Sequence, residues 1–223
     1  MKSKRVSVFL NITVMIILGL LVNGDRLGRV LAQSETDLPA LRVVRITVMP
    51  FLKGRCGSTV RESLDSSLSQ LHFNPKNVSP GSDRALTGYT HEALQKRHGE
   101  RVVPLAKSIE TFEKVSEDQP TDTIRILAQK MGKALKANLV MGGNVWRYKK
   151  RVAGAEGIKS QGASVAFHVY LIDVADGKTI WKATFEKTQQ SDLRTFAKMG
   201  AKWLTADQLA RFGVNEVFKK YPF

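Results

Sequence analysis

Cysteine is almost missing from this chain of 223 residues; the one thiol is Cys56. A single cysteine excludes an internal disulfide framework and any zinc site built on several thiolates. Acidic side chains are also scarce, 20 Asp+Glu against 35 Lys+Arg, which leaves a formal charge of +15 at pH 7. Such a balance favours nucleic acid, anionic headgroups or another polyanion by long-range attraction, and does not choose among them. Nucleotide-loop and hydrolase signatures are lacking too, since neither Gly-Lys-Ser/Thr nor Gly-x-Ser-x-Gly occurs. Internal repeats and low-complexity tracts are absent, and 43% hydrophobic with 25% charged residues excludes disorder throughout.

What is present begins with an export-type amino terminus. Lys2, Lys4 and Arg5 precede an apolar run from Val6 to Val22, broken by Ser7, Asn11 and Thr13, and Val30-Leu31-Ala32 suits a signal-peptidase cut after Ala32. The same run has the minimum length for a bilayer span. Asp25, Arg26 and Arg29 make the cut region unusually charged. Residues 1–32 therefore read as a signal peptide or as an uncleaved anchor, and both readings send the rest across a membrane. Residues 33–41 read as a linker. The remainder, 33–223, keeps 30 Lys+Arg against 19 Asp+Glu, so the basic character belongs to the domain itself.

Past the linker, Arg42 to Phe51 is β-branched and stops near Pro50, as a first strand should. Thr59 with Glu62 makes a capping box, and Val60, Leu64, Leu68 and Leu71 fall on one helical face behind it. Residues 74–120 are the weakest part of the pattern. They read as an irregular helical insertion at the sheet edge, with short helices near His91–Arg97 and Leu105–Val115. Ile124, Leu127, Ala128, Met131 and Leu135 then mark one stripe of a helix.

That helix feeds three β-rich runs between Ala137 and Gln189. In the second run Val165, Phe167, Val169 and Leu171 alternate with Ser164, His168 and Tyr170, the pattern of a half-buried strand. A helix opening at Ser191-Asp192 carries Leu193, Phe196, Met199, Trp203 and Leu204; a last one is capped by Thr205 with Gln208. The expected fold is a single α+β domain over 42–223: an α/β sandwich whose mixed sheet has four to five strands and a carboxy-terminal antiparallel meander, with helices packed on it.

Candidate chemistry is thin. Cys56 lies between a strand and a helix start, where a thiolate is stabilised, but a cysteine-phosphatase loop sets its arginine one residue beyond Arg61. His72, His91, His98 and His168 show no metal-ligand spacing, and His168 reads as a surface or lightly packed residue. Asp173 and Asp176 flank a turn, where Asp serves the backbone. No catalytic, cofactor or metal site is read from these residues. The best binding patch is basic and aromatic: Trp146, Arg147, Tyr148, Lys149, Lys150 and Arg151, with Lys159 across the loop. It suits phosphates and stacking partners; it also suits a solvated hairpin end whose lysines discourage edge pairing. Behind an export signal, anionic lipid, lipopolysaccharide or cell-wall polymer is more accessible than nucleic acid.

Leu127-Ala128, Gly132, Leu135, Ala137-Asn-Leu-Val140 and Gly142-Gly143-x-Val145 resemble the helix-to-strand signature of a superfamily of bacterial envelope lipoproteins. So do Ala163-Ser-Val-Ala-Phe167, Leu171-Ile-Asp173, Gly177-Lys-x-Ile-Trp181 and Thr188-Gln189. The group includes the penicillin-binding-protein activator LpoB, the curli secretion protein CsgG and the amino-terminal domain of TolB. The resemblance covers the first strand and residues 124–190. It implies a non-enzymatic role, docking onto other envelope proteins. No lipobox cysteine stands near Ala32, so the chain departs from the lipoproteins there. The expected place is the periplasm, soluble or tethered to the inner membrane by residues 6–22.

Overall fold

Thr123 and Thr205 each start a helix by the same device. Their hydroxyls accept amide hydrogens from Ile126 and Gln208, so the chain turns helical immediately after them. At Thr205 the box is closed by Gln208, whose side chain takes the Thr205 amide at 2.9 Å, as the sequence predicts. The computed structural model describes residues 43–55, 64–118, 122–152, 161–189 and 203–223. The expected leader, the linker, Cys56, the Thr59–Glu62 box, Lys159 and the start of the helix at Ser191 lie outside these.

Five strands and four helices are described: β1 (Ile46–Val48), β2 (Leu52–Lys53), α1 (Ser82–His98), α2 (Leu105–Asp118), α3 (Ile124–Ala134), β3 (Leu139–Lys149), β4 (Ser164–Asp173), β5 (Thr179–Thr188) and α4 (Ala206–Phe218). The sheet runs β1-β3-β4-β5, with β2 continuing the line of β1 beside β3. Both short strands lie parallel to β3, while β3, β4 and β5 form an antiparallel meander. This is the expected mixed sheet. Asn138 fixes its amino edge, its carboxamide oxygen accepting the amides of Val44 and Arg45.

Helices cover both faces of the sheet. On one, Ile124, Ala128, Met131 and Leu135 of the α3 region pack with Phe112 of α2 against Val140, Tyr170 and Ile172. On the other, α1 and α4 lie over an aromatic row in which Phe167 meets Phe51 at 6.1 Å and Phe185 at 5.4 Å, and Phe185 meets Phe212 at 6.3 Å. Each large apolar side chain so buried contributes about 1.5–3 kcal/mol. At Gly213 a Cβ would stand 2.6 Å from the Phe185 ring, so the bare backbone sets the closeness of α4 to β5.

Several expectations change. The region 74–118 holds two regular helices where an irregular insertion is expected, and α2 starts at Leu105 as the pattern predicts. Its first helix begins at Ser82, nine residues before His91, and lays Leu86 and Leu94 into the core. Leu68 and Leu71 do not extend a helix from Leu64; Leu68–Gln70 is a 3-10 turn, capped by Gln70 on the Ser67 amide, yet all three leucines still pack in one core. Trp203 and Leu204 precede α4 in irregular backbone. β4 is buried along both faces, so it is not half-buried, and His168 is only 6% exposed. The reason is that α3 packs on one face of β4 and α4 on the other, and that Trp146 lies over His168. Asp173 and Asp176 do serve the turn: their carboxylates accept the amides of Ala175 and Lys178, and Gly177 takes a φ of +71°.

Candidate functional site

The basic run of 146–151 occupies the last part of β3 and its exit. A β-bulge sits within it, since Val145 pairs with Phe167 but Arg147 pairs with the adjacent Ala166, leaving Trp146 as the extra residue. The bulge resets which side chains face which way. Trp146 lies over His168, ring centroids 4.4 Å apart, and the Arg55 guanidinium lies over the same indole at 4.8 Å. Arg147 points to the same face and donates to Glu186 at 2.6 Å. Tyr148 turns to the opposite face, 2% exposed, and donates its hydroxyl to the Asp207 carboxylate on α4. Burial first, and that hydrogen bond second, push the phenol well above its ordinary pKa.

The seven predicted residues therefore separate. Trp146, Arg147 and Tyr148 are engaged within the domain. Lys149 is half-buried, while Lys150 and Arg151 are exposed, and Arg151 stands 4.9 Å from the Trp203 ring. The hairpin continues past β3 through paired amide bonds between Val152 and Gln161. Its base is held from the side, where the Ser79 amide and hydroxyl both donate to the Tyr148 carbonyl, at 2.9 and 2.8 Å. Tyr148→Phe should lower stability by about 1–2 kcal/mol, because Asp207 is exposed and regains water. Thermal unfolding should report that as a fall in Tm of about 2–8 °C.

Beneath Trp146 lies a polar row that runs across three strands. The register sets Asn144 beside His168 and His168 beside Thr184. His168 Nδ1 is 2.7 Å from the Thr184 hydroxyl, while its Nε2 and both amide atoms of Asn144 are buried without a hydrogen-bond partner. Burial, then the Arg55 charge, depress the imidazole pKa to about 4, so His168 is neutral at pH 7. The signal for this row is in the sequence, as two polar side chains inside otherwise apolar strands, but their adjacency needs the register. Two other histidines have partners elsewhere, His91 Nε2 at the Val103 carbonyl and His98 Nε2 at the Tyr221 hydroxyl, while His72 is exposed and accepts the Arg55 amide at its carbonyl. Among the described residues no three His, Cys, Asp or Glu side chains gather as for a metal, and no helix is long and apolar enough to cross a membrane.

A second surface lies at the β5 edge of the sheet. The outer side of β5 and the flank of α4 bound an open groove of about 410 Å³, lined by Lys182, Thr184, Phe185, Lys187, Phe212 and Val217 among others.

No protein-family model and no curated protein matches the chain. Solved structures similar to it include the PelC dodecamer from Paraburkholderia phytofirmans, 14% identical, covering 82% of this chain and 92% of that one at a TM-score of 0.47. Lipoprotein GNA1162 from Neisseria meningitidis is 16% identical over 71% of this chain and 93% of its own, with a TM-score of 0.40. The LpoB C-terminal domain from Escherichia coli is 12% identical over 71% and 93%, at 0.38. The neighbours thus include LpoB, which the residue pattern resembles. At these identities and superpositions the likeness transfers no activity and no partner.

Proposed function

We propose that this chain is an exported accessory protein of a bacterial cell envelope, non-catalytic, which works by docking onto other envelope proteins. The observation that carries the reading is where the chemically versatile side chains go. His168, Tyr148 and Tyr170 are buried, and Asp173 and Asp176 close a turn. The domain offers solvent its cationic hairpin base and its sheet edge. The amino-terminal pattern of residues 1–32 supports export, and the signature of residues 124–190 supports the envelope assignment. The domain then lies in the periplasm, free or tethered by residues 6–22. A photo-crosslinking residue placed at Lys150 of the full-length chain should capture a defined envelope protein in living cells; capture of none would sink the docking role.

A second reading rests on Lys150 and Arg151, both exposed beside Lys149, in a chain of formal charge +15. It makes the hairpin base a contact for anionic lipid, lipopolysaccharide or cell-wall polymer. Each cation near an anionic surface is worth about 1 kcal/mol, so Lys150→Ala with Arg151→Ala should weaken binding to phosphatidylglycerol vesicles about thirtyfold at low salt. The gap should narrow as salt screens the attraction. Equal binding by the wild type and the double variant in vesicle sedimentation would rule out this surface.

A further inference from the structure

β5 ends the sheet, and its outer side pairs with no strand among the described residues. Which of its groups face outward follows from the ladder. The Gln189 amide donates to the Ala163 carbonyl at 2.9 Å, and the register from Ser164↔Thr188 to Leu171↔Trp181 is unbroken. Antiparallel pairing alternates, so Lys187, Phe185, Ala183 and Trp181 direct their main-chain groups at β4. Lys182, Thr184, Glu186 and Thr188 direct theirs outward. The side chains of these four are exposed, and the groove between β5 and α4 leaves the edge open from the other face.

We infer that β5 pairs antiparallel with β5 of a second copy about a two-fold axis at Thr184. The charges on the strand select both the partner and the register. With Thr184 opposite itself, Lys182 of each copy stands opposite Glu186 of the other, and both pairs fall at positions whose amides and carbonyls face outward. An axis at Lys182 or Glu186 sets like charges opposite one another, which is unfavourable. An axis at Ala183 or Phe185 leaves the Lys182–Glu186 match unmade. On the α4 side the Thr184 axis brings Lys187 opposite Trp181, cation against indole. Lysines on an edge usually discourage pairing; here a glutamate four residues along converts Lys182 from a deterrent into half of a self-complementary pair. Glu186 already accepts from Arg147 at 2.6 Å, so it is oriented on the face where the Lys182 of a second copy would arrive. The positive charge of the whole chain opposes association, and moderate salt, which screens that repulsion, favours the dimer.

The test is a disulfide map on the full-length chain in detergent, with Cys56→Ser removing the native thiol. Hydrogen-bonded antiparallel partners have Cα atoms about 5.5 Å apart, within disulfide reach. Thr184→Cys should therefore crosslink to itself under mild oxidation. Lys182→Cys and Glu186→Cys should each crosslink about tenfold less alone than when mixed, because in this register Lys182 lies four residues, about 13 Å, from its own copy. Lys182 makes no ion pair among the described residues, so that arm reads out even if Thr184→Cys weakens the His168 contact. A chain that stays monomeric in all arms, or a Lys182→Cys that links to itself as readily as to Glu186→Cys, overturns the proposal. A β5 edge that captures a different protein while no copy–copy link forms overturns it equally.

Discussion

Gly143→Val is expected to leave no cooperatively folded domain, and Gly143→Ala to lose several kcal/mol. A Cβ at this position would stand 2.4 Å from the His168 carbonyl oxygen and 2.3 Å from the Phe51 ring. Neither neighbour can yield. The carbonyl belongs to β4, locked into ladders on both sides, and Phe51 is wedged against Phe167 at 6.1 Å. Overpacking in cores costs about 1–3 kcal/mol even where side chains can shift. With a backbone atom in the way the cost rises above that range, against a total stability of about 5–15 kcal/mol. A loss of about 3 kcal/mol would lower Tm by about 6–12 °C in a chain of this size. Gly88 supplies the comparison. It lies inside α1 with no atom within 4 Å of its added Cβ, so Gly88→Ala should raise stability by about 0.5–1 kcal/mol. If Gly143→Ala melts with the wild type in calorimetry, Gly143 does not stand opposite Val169 in the β3–β4 register.

The contrast between α1 and α3 shows where pattern reading works. Along α3 every core-facing position is apolar or small, from Ile124 to Gly132, and a threonine caps its start, so the stripe stands out from a single sequence. α1 buries Ser82, Thr87 and Thr90 beside Leu86 and Leu94. A face made half of hydroxyls does not look like a core face. Of the three, the Ser82 and Thr90 hydroxyls are buried with no hydrogen-bond partner among the described residues, while Thr87 is used twice, donating to the Asp83 carbonyl at 2.7 Å and accepting the Phe51 amide at 2.9 Å. That second bond is a tertiary fact with no local signature.

The bulge at Trp146 has the same character. Strict alternation would send Arg147 toward α4 and Tyr148 toward Glu186; the extra residue exchanges them. The cationic run is legible from composition alone, but which of its members are exposed depends on one residue of register. The self-matching charges of β5 lie in plain view as Lys182 and Glu186, yet they acquire a meaning only once β5 is known to be an edge. Helices on both faces of the sheet likewise turn the polar half of the β4 alternation into core.

His168 should make the domain lose stability as pH falls from about 6.5 to about 4. Burial and the nearby Arg55 and Lys182 depress its pKa to about 4, with Glu186 opposing them. The unfolded chain takes up the proton near pH 6.5, while the folded one refuses it until about 4. The unfolded state therefore binds more protons throughout this window, and folding weakens with each step downward. Above 6.5 the stabilisation is complete; below 4 it is gone. The span corresponds to about 3 kcal/mol, or a fall in Tm of about 6–12 °C. His98, whose pKa burial and then Arg101 and Arg97 also lower, adds to the same slope, so the assignment needs a difference. His168→Phe supplies it, since the ring still lies under Trp146 and the released Thr184 hydroxyl is exposed to water. Unfolding curves between pH 7.5 and pH 4 (about the window of the shift) should be flatter for the variant by the full His168 share. Parallel slopes for the two proteins would mean that the imidazole titrates in water, and that the row from Asn144 to Thr184 is open to solvent. A flatter slope in the variant would place the neutral imidazole at the centre of a sheet whose polar row is sealed, with contact left to its edge and its hairpin.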